Sequence, residues 1–190
     1  MITKDFILAS SSPQRKRLLE QIGFRPKEIV AADIDETELV HERPLKYVRR
    51  MALQKALAVA ELRPSENVLA SDTIITVGLR IIHKSKTPED QIKVMKLLSG
   101  RNHKVISAVC LRDKNGKITE RIVTTRLSMK RLSDEEIASY VASNEWIGVC
   151  GYKIEGLLAG YVRNMVGSFS GIVGLPLYET RNLLLGAGIK

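Results

Sequence analysis

The sequence predicts an α/β or α+β fold on a mixed β-sheet. Three observations predict it. Runs rich in Val, Ile and Thr interleave with runs whose apolar residues recur every three or four positions. Helix-opening signals at Pro13, Pro44, Pro88 and Pro176 fall between the strand-like runs. An Asn115-Gly116 pair joins two further strand-like runs, and such a hairpin argues against a purely parallel sheet.

In chain order, Ile2 to Ala9 reads as a strand. Ser12-Pro13 opens a helix, with Leu18, Leu19 and Ile22 as its apolar stripe and Gly23 as its stop. Phe24 to Ala32 is strand-like and runs into acidic residues. Pro44 opens a second helix with Val48, Met51, Ala52, Ala56 and Val59 on one face. Val68 to Val77 is a strand, turned at Gly78 into a short partner, Arg80 to Ile82. Thr87-Pro88-Glu89-Asp90 starts a helix with Ile92, Met95 and Leu98 inward, ending at Gly100. His103 to Arg112 and Ile118 to Met129 are the hairpin strands, with Val123, Thr125, Leu127 and Met129 on one buried face. Ser133 and Glu136 form a capping box for a helix through Ser143. Nine of the 13 glycines lie between Gly148 and Gly188, so this stretch reads as loop-rich until a last helix from Pro176.

With 190 residues, 44% hydrophobic and 27% charged, the chain can bury a full core without staples. This excludes disordered, collagen-like and low-complexity classes. No apolar run approaches the ~18 residues of a membrane helix, and Phe6 to Ala9 is too short for a signal-peptide core. Cys110 and Cys150 show no CxxC spacing, and His41, His83 and His103 are scattered. They read as reduced thiols of a cytosolic protein and as no zinc site. A net charge of +9 suits anionic partners without choosing among them.

Local rules break in three places, and such breaks mark candidate sites. Ser10 to Arg17 places Arg15, Lys16 and Arg17 in the first turn of a helix, where acids are favoured. Free amides, hydroxyls and guanidinium groups there suit a phosphate, and they equally suit a solvated basic face. No Walker A pattern occurs. Asp72 interrupts an apolar strand, so it either faces water at an edge or meets a cation. Lys55, Lys84 and a divalent metal are its candidate partners. Asp33 to Glu38 is either a solvated loop or an oxygen-rich cluster for Mg²⁺ or Mn²⁺, with Asp35 and Glu36 adjacent. A phosphate cradle, carboxylates for a hard cation and a buried base are the parts of metal-assisted phosphoryl or nucleotidyl chemistry.

The chain also resembles a known family. Ile7 to Arg15 looks like L-A-S-x-S-P-R-R, Asp35-Glu36-Thr37 like D-E-T, Ala70 to Thr73 like G-A-D-T, and Ile82 to Ser85 like L-G-K-P. Leu98 to Val105 looks like L-S-G-R-x-H-x-V, Gly151 to Gly156 like A-Y-G-I-Q-G, and Val173 to Leu177 like V-G-L-P-L. These motifs, in this order, resemble the Maf family of nucleoside triphosphate pyrophosphatases, the septum formation inhibitor Maf-like proteins.

The resemblance implies a single domain over residues 1–190, two-lobed and Maf/ITPase-like, with helices flanking a twisted mixed sheet and the active site between the lobes. It implies hydrolysis of a (d)NTP to a (d)NMP and pyrophosphate, with a divalent metal, Mg²⁺ or Mn²⁺. It further implies a cytoplasmic homodimer that contacts no membrane, removes non-canonical or surplus nucleotides and is linked to cell-division arrest. Carried over position by position, Asp72 matches the proton acceptor, and Ser10, Ser12 and Arg15 match the phosphate loop. Glu36 and Lys84 match further site positions. Lys55 and Glu155 join them as substrate contacts, and Glu36 with Asp72 as metal ligands.

Three residues depart from the pattern. Gln14 replaces the first Arg of the usual pair, Ser85 replaces the Pro after the site lysine, and Glu155 stands where many members have Gln. An ionised Glu only accepts hydrogen bonds, whereas Gln also donates. A branch that prefers 7-methyl-GTP carries Glu-Gly at this place, so dTTP, UTP and 7-methyl-GTP stay open as substrates. The competing reading is a non-catalytic, basic nucleic-acid- or partner-binding regulator of division. Against nucleic acid stand an aromatic content of 5% and the lack of an RNP-like strand, helix-turn-helix or zinc finger. Trp146 and Tyr152 fit base stacking or core packing, Cys150 fits a small buried apolar residue, and His103 fits a hydrogen bond at a strand end better than a metal.

Overall fold

The computed structural model describes residues 3–190; Ile2, the expected start of the first strand, lies outside them. The elements run β1 (Thr3–Ala9), α1 (Pro13–Gln21), β2 (Arg25–Val30), α2 (Pro44–Leu62), β3 (Val68–Val77), β4 (Arg80–Ile82) and α3 (Pro88–Leu98). Then follow β5 (Asn102–Arg112), β6 (Ile118–Met129), α4 (Asp134–Ala142), a 3-10 turn (Leu157–Tyr161), β7 (Val162–Val166), α5 (Phe169–Val173) and α6 (Leu177–Gly186).

The strands form one mixed sheet in the order β2-β1-β3-β5-β6-β7. β1 runs parallel to β2 and β3, and β3, β5, β6 and β7 are antiparallel to their successive neighbours. Helix α2 covers one face, its Val48, Met51 and Ala56 packing with Ile7, Ala70, Ile106 and Ala108. On the other face α1 and α6 cover Phe6, Leu8, Leu69 and Val109, while α3 and α4 cover Ile75, Val105, Leu127 and Met129. β3 is covered on both sides, which explains its near-continuous apolar run.

The turn between β5 and β6 closes as expected, with Asp113 Oδ1 accepting from the amides of Asn115 and Lys117, both at 2.9 Å. The capping box of α4 forms. Two readings are corrected. Ile92 packs against the core but is only half-buried, while Gln91 is fully buried beside Met95 and Leu98, its amide paired with Ser85 and the Gly151 carbonyl. The stretch from Gly148 also holds a 3-10 turn, β7 and α5, in addition to loop. β7 is a half-exposed edge strand, so its five residues carry no clean alternation, and pairing with β6 is what makes it a strand.

One feature of the sheet positions the site. β1 meets β3 only at Val68 and Leu69, and β4 meets the same edge only from Ile75 to Val77. Between them, Ala70 to Ile74 pair with β5 alone. The sheet is split there on one edge, and Asp72 sits in the middle of the split.

Candidate active site

The split opens into a cleft of about 790 Å³. Ser10, Ser12, Arg15, Glu36, Lys55, Asp72, Lys84 and Glu155 all line it, although they come from every part of the chain.

The first wall is the turn from β1 into α1. Ser10 Oγ accepts hydrogen bonds from the Ser12 amide at 3.1 Å and from Arg15 Nη1 at 3.0 Å. Arg15 Nε donates to the Gly174 carbonyl at 2.9 Å, and Ser71 Oγ donates to the same carbonyl at 3.0 Å. The guanidinium is thereby fixed from two sides. Burial pulls its pKa below the usual value, and the nearby Asp72, Cys150 and Glu36 oppose that shift. Ser12 Oγ donates to Gln14 Oε1 at 3.0 Å, so the residue that departs from the expected Arg engages the neighbouring hydroxyl.

The floor is a three-residue charge cluster. Lys55 reaches from α2 and places Nζ 2.7 Å from Asp72 Oδ1 and 2.7 Å from Glu36 Oε1. Lys55 is thus the partner that the carboxylate in the middle of β3 requires. Tyr47 Oη donates to the Glu36 backbone carbonyl at 2.9 Å and anchors the acidic loop. Partial burial would raise the Glu36 pKa, but Lys55, with Lys84 and Arg15 behind it, outweighs burial and holds it below the usual value. Burial, with Asp72 and Glu36 close by, raises the Tyr47 pKa.

The far wall carries free cations. Lys84 forms an isolated antiparallel bridge to Cys150, and Lys84, Lys86 and Lys153 line the cleft without an acidic partner within 4.0 Å among the described residues. Glu155 lies 3.9 Å from Arg17 of α1. Five cations face three carboxylates across the cleft, an excess that suits a polyanion.

The donor set can be tested for a divalent ion. Among the described residues no group of three or more His, Cys, Asp or Glu assembles for a metal. Two carboxylates do converge on one cation position, now held by Lys55. That fits Mg²⁺ or Mn²⁺, which take one or two protein carboxylates and complete their shell with phosphate oxygens and water. It does not fit a closed structural site.

Trp146 and His103 settle as packing, whereas Tyr152 and Cys150 also line the cleft. Trp146 is buried and donates from Nε1 to the Val141 carbonyl at 2.9 Å. Tyr152 and His103 are buried together, with Oη and Nε2 2.6 Å apart. Burial lowers the His103 pKa to about 4, so the ring is neutral. Burial raises the Cys150 thiol, which lines the cleft. Tyr47, Ser71, Lys86, Gln91, Lys153 and Gly174 were not singled out by sequence. Ser71, Lys153 and Gly174 fell inside the quoted motifs without a role of their own, and Gln91 left a signal as a polar residue in register with Met95 and Leu98 on the buried stripe of α3.

A family model described as Maf-like protein matches residues 5–187. The chain is 48% identical over 185 residues to the dTTP/UTP pyrophosphatase of Caulobacter vibrioides, covering 97% of this chain and 96% of that one. It is 46% identical over 196 residues to the dTTP/UTP pyrophosphatase of Mesorhizobium japonicum, covering 100% and 94%. The solved structure of the Staphylococcus aureus Ham1 protein aligns with 65% of this chain and 71% of its own at 16% identity and a TM-score of 0.47.

Proposed function

The chain belongs to the Maf-like protein family, and from that premise we propose that it is a nucleoside triphosphate pyrophosphatase acting on dTTP and UTP. The reaction adds water across the bond between the α- and β-phosphates and yields a nucleoside monophosphate and pyrophosphate. The observation that carries this reading is the Asp72–Lys55–Glu36 cluster at the floor of a cleft with excess positive charge. A non-catalytic regulator leaves that cluster without a task.

Asp72 is the proton acceptor. It faces the cleft from the unpaired edge of β3, where it can take the proton of the attacking water. A positioned base contributes about 10²–10⁴ in rate. Arg15, Ser10 and Ser12 hold phosphate oxygens at the mouth of α1, and Lys84 holds them from the opposite wall. Lys55 keeps Asp72 and Glu36 in place and offsets charge on the phosphates. Glu36 and Asp72 would hold the divalent ion, which when bound neutralises charge on the phosphates and the leaving pyrophosphate. Glu155, which lines the cleft where the family pattern has Gln, would meet the base. Its relatives' substrates favour a pyrimidine there over 7-methyl-GTP. We place this activity on a cytoplasmic homodimer of single-domain chains.

The test is pyrophosphate release from a panel of canonical and methylated triphosphates, with Mg²⁺, Mn²⁺ or chelator. Release from dTTP and UTP should need the metal and fall at least about 100-fold in Asp72→Asn. Wild-type turnover in that variant, or no release from any triphosphate by the folded protein, sinks the reading.

A further inference from the structure

Ser85 departs from the proline of the resemblance, and its hydroxyl has a defined use. Ser85 Oγ donates to Gln91 Oε1 at 2.7 Å. Gln91, fully buried on α3, donates from Nε2 to the Gly151 carbonyl at 2.6 Å. One side-chain amide therefore ties the segment after β4 to the neighbouring Cys150–Glu155 segment of the same wall. The isolated bridge between Lys84 and Cys150 joins the same two segments through backbone.

The geometry has a direction. Lys84 and Lys86 line the cleft, whereas Ser85 between them does not. His83, Lys84 and Lys86 all border the cleft, so anchoring Ser85 inward fixes the backbone that carries both lysines. The other anchor is equally tight. Gly151 has φ +66°, and a Cβ there would lie 2.9 Å from Ile75 Cδ1. A proline at 85 would stiffen the segment covalently through its fixed φ. Here a buried hydrogen-bonded amide supplies the stiffness, and it also holds the adjacent segment at Gly151.

We infer that Ser85 and Gln91 form a clamp that joins the segment carrying Lys84 and Lys86 to the adjacent Cys150–Glu155 segment and sets how firmly this wall grips a triphosphate. The inference rests on the phosphate-binding reading of the cleft. Ser85 and Gln91 are positioning residues and touch no substrate.

The experiment compares wild type with Ser85→Ala, Ser85→Thr, Gln91→Leu and the Ser85→Ala/Gln91→Leu pair. Ser85→Ala leaves Gln91 Oε1 buried and unpaired, which lowers stability as well as grip. The pair removes the hydroxyl and the amide but strands the Gly151 carbonyl, so its thermal midpoint stays below wild type. Expected is a KM for dTTP raised about 5- to 20-fold in Ser85→Ala and in the pair, with kcat within about twofold, the signature of lost uniform binding. Ser85→Thr keeps the hydroxyl and a wild-type KM. Amide exchange should quicken at residues 84–86 and 150–152 in Ser85→Ala and stay unchanged around Asp72. A wild-type KM in the pair overturns the clamp, since the role would then be stability alone. Unchanged exchange at the two segments also overturns it. If wild type releases no pyrophosphate from any triphosphate, the catalytic reading falls, and the exchange comparison still decides the clamp.

Discussion

Lys55 holds two carboxylates at 2.7 Å each, and one substitution tests what it does. The Glu36 pKa is depressed because Lys55 outweighs its partial burial. Lys55→Met removes that cation, so the Glu36 pKa rises. The acid limb of the kcat/KM profile should then move to higher pH, read from pyrophosphate release between pH 4 and pH 8. An unmoved limb would mean that the cluster does not govern the active form.

His103 gives a second prediction at this scale. Its folded pKa of about 4 lies below its unfolded value of 6.5. The unfolded chain binds more protons between those values, so His103's contribution to stability is complete above pH 6.5 and lost as pH falls through about 4. The expected loss reaches about 3 kcal/mol and should be missing from His103→Gln, whose amide can still meet Tyr152. Urea unfolding of both proteins across this range reads the difference. Asp72 was legible in the sequence because a charge inside Leu69 to Ile75 violates burial on sight. Gln91 was legible only as a polar residue on an apolar stripe, and its partners were not, because Ser85 and Gly151 lie in other segments.

At the scale of elements, local chemistry was most readable where one turn contains all its partners. The capping box of α4 is such a case. The Ser133 side chain accepts from the Glu136 amide at 3.2 Å, and the Glu136 side chain accepts from the Ser133 amide at 2.9 Å. Ser133→Ala should cost about 1 kcal/mol in urea unfolding. The opposite case is the joint between β7 and α5. Gly167 has φ +138°, and a Cβ there would lie 2.8 Å from Thr125 Cα on β6. Gly167→Ala should destabilise by about 1–3 kcal/mol, checked the same way. Thr125 lies in another strand, so the glycine-rich stretch could be recognised as shaped around backbone without revealing which backbone.

For the whole molecule, the split edge of β3 matters most. A ligand in the cleft touches the β1–α1 turn, α2, β3 and the segment after β4 together, so binding should stabilise both halves of the sheet. With Asp72→Asn and the non-hydrolysable α,β-methylene analogue of dTTP, the thermal midpoint should rise with concentration. The gain is about 2.7 kcal/mol at 100 times Kd. Added salt should weaken it, because the grip is made by cations. A midpoint that ignores the analogue would show that the cleft is not the nucleotide site.

The sequence by itself determined the kind and order of most elements, the mixed sheet, and the residues Asp72, Arg15 and Glu36 as places where local rules fail. Periodicity, capping and burial violations act over one to four positions, so they are written in adjacent letters. Tertiary structure alone decided that the edge of β3 between Leu69 and Ile75 stays unpaired by β1 and β4. It alone decided that Lys55, 17 residues away, answers Asp72, and that Gln91 reaches across 60 residues to Gly151. Contacts at such separations follow from how the sheet and helices pack, and packing leaves no mark on the residues next to either partner.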